Sequence, residues 1–597
     1  MNVPTDPQRE YSARRERRQA EAKRLAAQTA WLPTVRLLTF VAFLGLAAWA
    51  LQSGTTPIPA GAALAAFVAA VVLHKRGAAR LRRARQAVAF YDQALERLAD
   101  RWQGQGSTGE RFGDPRHPYA DHLDLFGRGS LFQLLCTART PMGEETLANW
   151  LRTPAEPAEV RARQEALCEL RDLIDLREEL ASVGPERGAQ FDPPQLAAWS
   201  TSPSRRFGLA LRVPAAGLGL AFMATLAAWF VGAAPLAFCG LVLAGEAMVL
   251  FALRRRIGQV AGRVEGMSRQ LSLFLEVLRR VERRQFTAAR LRTISARLRR
   301  GGLLPSREIR RLQRWLHLHE SLRLNQLSAP LALGLMTPMH TAGRLERWRI
   351  RVGACVGDWL SAIGEFEALL SLANYAYEHP ADPFPSLAED GAVFSGGDLG
   401  HPLLPQAVCR RNDLRLDGRA RAILISGSNM SGKSTMLRTV GVNVVLALAG
   451  APVRAAEMTL SPLALGACIN VRDSLQEGQS HFYAEMARLR DITRMLDNGR
   501  PVLFLLDEIM HGTNSHDRRI GTEAVLRILL DRGAIGLVTT HDLALAEMEQ
   551  ALQGRMANAH FEDQVVDGRM VFDYKMRPGV VRKSNALEIM RSLGLDV

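Results

Sequence analysis

One nine-residue stretch constrains the fold more than any other: Gly427, Ser428, Asn429, Met430, Ser431, Gly432, Lys433, Ser434 and Thr435. It comes after the apolar run Ala422-Ile-Leu-Ile425 and precedes a helical pattern that starts at Met436. The pattern GxxxxGK[ST] between a strand and a helix predicts a loop whose backbone N–H groups wrap phosphate oxygens at a helix N-terminus. In such a loop Lys433 reaches the β- and γ-phosphates of ATP, and Ser434 offers its hydroxyl to Mg²⁺. The strand before the loop has to be buried, which makes an α/β P-loop domain the expected fold of the C-terminal region.

Further along, Pro501-Val-Leu-Phe-Leu-Leu-Asp507-Glu508 is a continuous apolar run ending in two acids. It reads as a buried parallel strand with its tip at the ligand edge of an open sheet. Asp507 is expected to hold Mg²⁺, directly or through water, and Glu508 to position or deprotonate the attacking water. A third run, Gly536-Leu-Val-Thr-Thr-His541, ends in a histidine placed to sense a γ-phosphate. Between the loop and the acids lies Gly478-Gln-Ser480-His-Phe-Tyr-Ala-Glu485-Met486, which reads locally as a helix start with Ser480 as its N-cap. Residues 509–515 form a Gly/Ser/Asn loop.

Taken in order, these strings resemble the ATPase domain of the MutS family, DNA mismatch-repair ATPases of the ABC type. That family reads GPNMxGKST, GxSTFxxEM, DEIGxGTS and a strand ending in TH. This chain has GSNMSGKST, GQSHFYAEM, DEIMHGTNS and TTHD. Gly400-His401-Pro402 is similar to the RHP segment that precedes the family's ATPase sheet. Thr140-Pro-Met-Gly143, Trp150, Pro154, Pro157, Arg163 and Gln164 resemble the start of its helical core, or lever, domain. The resemblance covers roughly 120–200 and 355–597. It implies a homodimer with shared ATP sites, in which Ser480 completes the γ-phosphate site of the opposite subunit, and double-stranded, mismatched or branched DNA as a partner.

The chain departs from that pattern in four places. No counterpart of the mismatch-reading domain, with its Phe-x-Glu, is present in residues 1–115. No nuclease module comes after the sheet before Val597. Cys409-Arg-Arg-Asn412-Asp413 stands where the family has an adenine-stacking aromatic, which leaves Arg410 or Arg411 as the stacking candidate. His481 replaces a second hydroxyl after Ser480.

Four apolar runs form the second feature. Residues 37–51 and Thr55–Leu73 carry no charge; Val213–Val231 and Ala234–Leu253 come as a second pair, interrupted only by Glu246. Each approaches the roughly 20 residues that a bilayer requires. A cleavable signal is the rival for the first run, but its basic lead is long and a second apolar run comes at once. Arg14, Arg15, Arg17, Arg18, Lys23 and Arg24 precede the first run, and Lys75, Arg76, Arg80, Arg82, Arg83 and Arg85 come after the second. Arg205, Arg206 and Arg212 precede the third, and Arg254, Arg255 and Arg256 come after the fourth. The positive-inside rule then predicts two hairpins entering the inner membrane from the cytoplasm, with the ATPase domain on the cytoplasmic side. The second hairpin interrupts the region where the repair proteins carry a DNA clamp.

The expected architecture is an α/β P-loop NTPase domain of ABC/MutS type plus an all-α core with two transmembrane helical hairpins. The expected segments are a basic cytoplasmic stretch 1–30, hairpins 31–74 and 207–253, a core-like region 75–206, a helical arm with the second part of the core at 254–390, and the ATPase domain 391–597. Linkers are expected at 103–118, 185–206 and 378–395, and Leu327–Met339, with two prolines, is too short to span and reads as packing. The net charge of +16 comes from 76 Lys and Arg against 60 Asp and Glu, and only five of the former are Lys. That excess suits a membrane surface or nucleic acid, and the Arg-rich helical stretch 257–330 fits DNA phosphates, anionic lipid or a solvated face. Six scattered cysteines without CxxC spacing fit reduced thiols. Three functions compete: a membrane-anchored ATPase acting on DNA, an ATP-driven membrane switch or scaffold with no DNA role, and half of an ABC transporter. The last is weakest, because the chain has no LSGGQ-type signature and four rather than about six spans.

Overall fold

The computed structural model describes residues 6–54, 56, 58–182, 192–203, 209–261, 267–299, 302–324, 329–389, 391–418, 420–469, 481–510, 513–566 and 569–581. The described residues of the ATPase region form ten strands: β1 (Ser386–Leu387), β2 (Phe394–Leu399), β3 (Asn412–Leu416), β4 (Ala422–Ser426), β5 (Glu457–Leu460), β6 (Ala464–Cys468), β7 (Val502–Asp507), β8 (Ile535–Thr540), β9 (Met556–Val566) and β10 (Arg569–Pro578). They make a four-stranded sheet, β1-β5-β2-β3, and a six-stranded sheet, β10-β9-β4-β8-β7-β6. In the larger sheet every pair is parallel except β9–β10. Strands β4 and β8 are buried along their whole length, which is why they read as unbroken apolar runs. The helix Lys433–Ala449 covers this sheet and stops at Gly450, whose φ of 91° suits glycine.

The N-terminal part is helical. Its axis is a single helix, Thr337–Glu378, of 42 residues. Helices Pro141–Arg152, Pro157–Arg171, Pro193–Thr201, Ala289–Leu298 and Pro305–Leu324 pack along it. Helix Pro141–Arg152 starts where Thr140 accepts a hydrogen bond from the Gly143 amide and Pro141 supplies a preset φ. Carboxylates on the buried face of the axial helix each find a partner. Glu378 takes two hydrogen bonds from Arg97 (2.8 and 2.6 Å), and Glu365 pairs with Arg290 and Arg297. Glu367 accepts from the Thr140 hydroxyl and from the amides of Arg139 and Thr140. All six cysteines are free.

Among the described residues, four helical stretches are long and apolar enough to cross a membrane by length and composition: Pro7–Ser53, Ile58–Leu98, Leu211–Phe230 and Leu236–Val260. Their large side chains face outward, with Leu38 63%, Leu220 71% and Leu241 71% exposed. Phe40 and Phe67 meet across the first pair, with ring centroids 5.2 Å apart. On the second pair, Phe222 lies against Gly334 and Gly219 approaches the backbone of Leu335, so the short helix Ala329–Gly334 and the start of the axial helix pack on this hairpin. Glu246 is buried there, and neither carboxylate oxygen has a hydrogen-bond partner among the described residues.

Four parts go beyond the sequence expectation. Within the basic stretch 1–30, Pro7–Thr29 is a helix lying along Ile58–Leu98. Its arginines are used as ion-pair donors, Arg14 to Asp175, Arg15 to Asp92 and Arg18 to Glu178, while Tyr11 is buried against Tyr91 and Tyr377. Helix Ile58–Leu98 continues 25 residues past the apolar run that ends at Leu73, into the core. The stretch 103–118 is not a loose linker. Gln133 ties it by accepting from Gly104 N and donating to Gln105 O, and Pro118 O accepts from Ala467 N at the edge of β6. Arg488 donates to the carbonyls of Pro115 and His117 from the ATPase side (2.8 and 3.0 Å). The expected linker 185–206 is a helix over Pro193–Thr201, packed on the axial helix through Leu196 and Trp199, while 185–191 and 204–206 lie outside the described residues.

Candidate nucleotide site

The site begins with register. Ser426 of β4 stands beside Thr540 of β8, and Thr539 of β8 beside Asp507 of β7. Three parallel strands therefore end level, and their C-terminal continuations meet at one edge. After β4 comes the loop 427–432, after β7 comes Glu508, and after β8 comes His541.

The loop has the close approach its glycines permit. A Cβ on Gly427 would stand 2.9 Å from Ser431 Oγ and 3.1 Å from Phe561 O, and Gly432 has a φ of 105°. Met430 also lies in the left-handed region, with a φ of 68°, and is exposed. Lys433 is buried, and its ammonium donates to Gly427 O and Ser428 O (both 2.9 Å) with Glu508 Oε1 at 3.5 Å. Ser428 Oγ and Ser431 Oγ are buried without a hydrogen-bond partner among the described residues. Two orphaned hydroxyls beside a buried cation are what a loop built for phosphate oxygens leaves to be satisfied. Ser434 is half-buried and Thr435 exposed, both in the first turn of Lys433–Ala449. Asn429 lies in the turn that precedes them.

On the acidic side, the Asp507 carboxylate accepts from the Thr539 hydroxyl. Glu508 has a φ of 48°, held there by its amide donating to Thr539 O (3.2 Å) and Oγ1 (3.1 Å). That bend turns its carboxylate back toward Lys433 and places Oε2 3.6 Å from His541 Nδ1. Backbone strain at a non-glycine residue of this kind clusters at functional sites. The donor set also suits Mg²⁺. One hydroxyl (Ser434) and one carboxylate (Asp507) stand near the phosphate loop, and this ion usually takes a few protein oxygens together with phosphates and water. Ser480 lies outside the described residues, as do His511 and Gly512 of the 509–515 loop. Helix His481–Met495 starts directly after Ser480, and Asn514 of that loop caps Ser515–Asp531 by accepting from Asp517 N (2.8 Å).

Sequence reasoning missed two parts of the site. Glu485 is buried and accepts from the Met510 amide, so it braces the turn after the acidic strand. Its place beside the DEI segment depends on a contact between two distant stretches. The second is Tyr574, whose ring lies 3.1 Å from a Cβ on Gly432. Asn412 fixes it, donating to Tyr574 O (3.0 Å) and accepting from Met576 N (2.8 Å). Arg411, a stacking candidate from the sequence, is instead paired with Asp398 (3.1 Å), whereas Arg410 is exposed. The β-bulge between Phe572 and Met576 that presents Tyr574 has no signal in the sequence.

The segment Gly400-His401-Pro402 is pinned to the nucleotide helix by Asn443, which donates to Gly400 O (2.9 Å) and accepts from Arg454 N (2.7 Å). His401 is buried beside it, and burial pushes its pKa from 6.5 down to about 4. Its Nδ1 accepts from Leu403 N.

The comparisons with known proteins fall on this part of the chain. A family model described as MutS domain V matches residues 423–596. The relatives include an endonuclease MutS2 of Thermus thermophilus, 36% identical over 203 residues, which is 33% of this chain and 25% of that protein. A DNA mismatch repair protein MSH3 of Phaeosphaeria nodorum is 31% identical over 242 residues, 39% of this chain and 21% of the relative. A DNA mismatch repair protein MutS of Methanosarcina mazei is 32% identical over 242 residues, 39% and 26% respectively. The chain thus spans only about a fifth to a quarter of the length of these relatives.

The neutral state of His401 predicts a pH dependence. Between about pH 6.5 and 4 the unfolded chain binds the proton that the folded one refuses, so stability falls as pH drops through that window. The contribution is up to about 3 kcal/mol. His401→Asn keeps an acceptor for Leu403 N and should lose a smaller part of its thermal midpoint between neutral and acid pH than the parent. Equal losses in the two proteins would place the acid sensitivity elsewhere. Its P-loop, its Asp-Glu strand and the MutS domain V they lie in make the C-terminal region of this chain a P-loop ATPase domain of the MutS family.

Proposed function

We propose that this chain is a membrane-anchored MutS-like ATPase that binds ATP with Mg²⁺, hydrolyses it as a homodimer, and acts on DNA. The observation that carries the ATPase reading is the level sheet edge where Lys433, Asp507, Glu508 and His541 converge. Phosphoryl transfer asks mainly for positioning and charge neutralisation. Residues 427–435 hold the phosphates, with Lys433 exchanging its carbonyl partners for phosphate oxygens. Ser434 and Asp507 would hold Mg²⁺, which offsets phosphate charge. Glu508 orients and deprotonates the attacking water. His541 contacts Glu508 and reports the γ-phosphate. Tyr574 offers the aromatic face for adenine that the Cys409–Asp413 segment lacks. Ser480 completes the site of the opposite subunit.

Exposed apolar side chains on both helical pairs support membrane anchoring. The basic flanks favour cytoplasmic termini and a cytoplasmic ATPase domain, each Lys or Arg near an anionic leaflet contributing about 1 kcal/mol. The reading that DNA is the target rests on the relatives, two of which are named as DNA mismatch repair proteins. A second reading, an ATP-driven membrane switch without DNA, is favoured by the axial helix. It starts against the second hairpin and ends beside the ATPase sheet, where Tyr375 and Asp382 face Arg454.

Hydrolysis should separate from binding. Glu508→Gln should retain ATP but lose about 10²-fold or more in turnover, whereas Lys433→Ala should lose nucleotide binding. Ser480→Arg and Lys433→Ala proteins, each inactive, should regain activity when mixed, because one site of the mixed dimer is intact. Parental turnover in Glu508→Gln, or silence in proven mixed dimers, would refute these roles.

Cysteines introduced at positions 54 and 233 should react with an impermeant reagent in sealed cells, and one at position 110 should not. Labelling at 110 would reverse the topology.

DNA binding by the detergent-solubilised protein, measured against salt on homoduplex, mismatched and branched DNA, decides between the two readings. Saturable binding with a steep negative salt slope supports the DNA reading. No binding at low salt leaves the membrane switch.

A further inference from the structure

A solvent-open cavity of about 290 Å³ lies between helices of the N-terminal part, with Gln93 exposed at its rim, and no residue of the nucleotide site lines it. Its walls come from several separate parts of the chain, helix Ile174–Ala181 among them. Gln93 and Arg97 belong to helix Ile58–Leu98, Ser107 and Arg139 to the stretches before helices Leu131–Leu135 and Pro141–Arg152, and Glu367 and Asn374 to the axial helix.

Most polar groups in these walls already have partners. Arg97 is taken by Glu378, and Arg177 donates to Asn374 Oδ1 (2.8 Å). Glu144 is paired with Arg111 (2.6 Å). Three groups are not engaged. The side chains of Arg139, Gln93 and Ser107 make no hydrogen bond or ion pair among the described residues, although all three line the cavity. Arg139 is half-buried, and burial lowers its pKa, yet a guanidinium stays protonated in a protein. A cation taken partly out of water without a partner is costly, and an oxyanion meeting its planar fork is the usual remedy. Glu367 is a poor substitute. Its oxygens are occupied by Thr140 and by the Arg139 amide, and burial pushes its pKa up to about 7, which weakens it as a counter-ion.

We propose that this cavity is a second ligand site, for a small organic anion whose carboxylate or phosphate pairs with Arg139. Gln93 and Ser107 hydrogen-bond the rest of the ligand, and the buried rings of Phe90 and Trp102 line its apolar side. The volume stands at the lower end of ligand pockets, about 300 Å³, which suits a metabolite-sized molecule and is small for a nucleoside triphosphate. A ligand held here touches the extension of the first hairpin and the axial helix at once, which suits an effector rather than a substrate of hydrolysis.

The test uses the full chain in detergent, in a Lys433→Ala background that disables the phosphate loop. The probes are 3-phosphoglycerate and citrate, read by equilibrium dialysis and by the thermal unfolding midpoint. The expected result is saturable binding of one probe per chain, weakened about tenfold or more by Arg139→Gln and partly kept by Arg139→Lys. The midpoint should rise with probe in the parent and stay level in Arg139→Gln. Without probe, Arg139→Gln should unfold at the parental temperature or above, because the guanidinium it removes makes no hydrogen bond. Gln93→Ala should weaken binding by a smaller factor. Equal binding by the parent and Arg139→Gln would overturn the proposal, as would no saturable binding of either probe up to about 10 mM.

Discussion

Buried charge on one rod organises the helical half of this protein. Helix Thr337–Glu378 carries Glu346, Glu365, Glu367 and Glu378 on surfaces that the fold removes from water. Each needs a partner, since an uncompensated buried carboxylate costs several kcal/mol. Glu346 takes Arg349 of the rod itself, and the other partners come from different layers. Arg97 reaches Glu378 from the extension of the first apolar pair, Thr140 reaches Glu367 from a helix cap, and Arg290 and Arg297 reach Glu365 from Ala289–Leu298. Farther along the same rod, Trp348 and Arg351 bind Glu308 of Pro305–Leu324. Apolar packing would tolerate sliding of one helix past another. These directional contacts do not, so they set the register of these neighbours against the rod.

The same logic joins the helical half to the sheet. Arg163, buried and stacked 3.8 Å above Trp150, donates to Ala449 O at the end of the nucleotide helix. Arg438 of that helix pairs with Asp124 (2.8 Å), and His122 Nδ1 meets Ile469 O (2.6 Å). The two ends of the helix that succeeds the phosphate loop are therefore both held by residues of the N-terminal region. A shift of Lys433–Ala449 by a fraction of an ångström has to be answered by the helices that hold it.

The sequence was most legible where a local pattern carries the geometry. Strands β4, β7 and β8 are buried on both faces, so each is an unbroken apolar run, and the residue that ends the run marks the ligand edge. The phosphate loop is equally local. The resemblance to the MutS ATPase domain rests on these stretches, and so does the matched family domain. Illegible were the residues brought in from elsewhere in the chain. Glu485 in a helix start and Glu367, which lies in helix Thr337–Glu378, carry no local sign of burial, because their partners, Met510 N and Thr140, are distant in sequence. Tyr574 depends on a bulge. The basic stretch before the first apolar run carried the right charges for a flank, but charge alone did not reveal that Arg14, Arg15 and Arg18 are spent on Asp175, Asp92 and Glu178.

Helix Ile58–Leu98 runs unbroken for 41 residues from the exposed apolar end to Arg97, and its one proline, Pro59, sits in the first turn where it bends nothing. At 1.5 Å per residue it is about 60 Å long. A rod of that length turns small angles into large displacements: a tilt of about 5° moves its far end by about 5 Å, close to one helical turn. Because Arg97 clasps Glu378 at the foot of the axial helix, that end of the rod is its pivot and the exposed apolar end is the one that swings. A force on the exposed apolar end is thus carried through unbroken helix to the ion pair that ties this rod to the axial helix. The first helical pair has the geometry of a crank, with the Arg97–Glu378 pair as its pin.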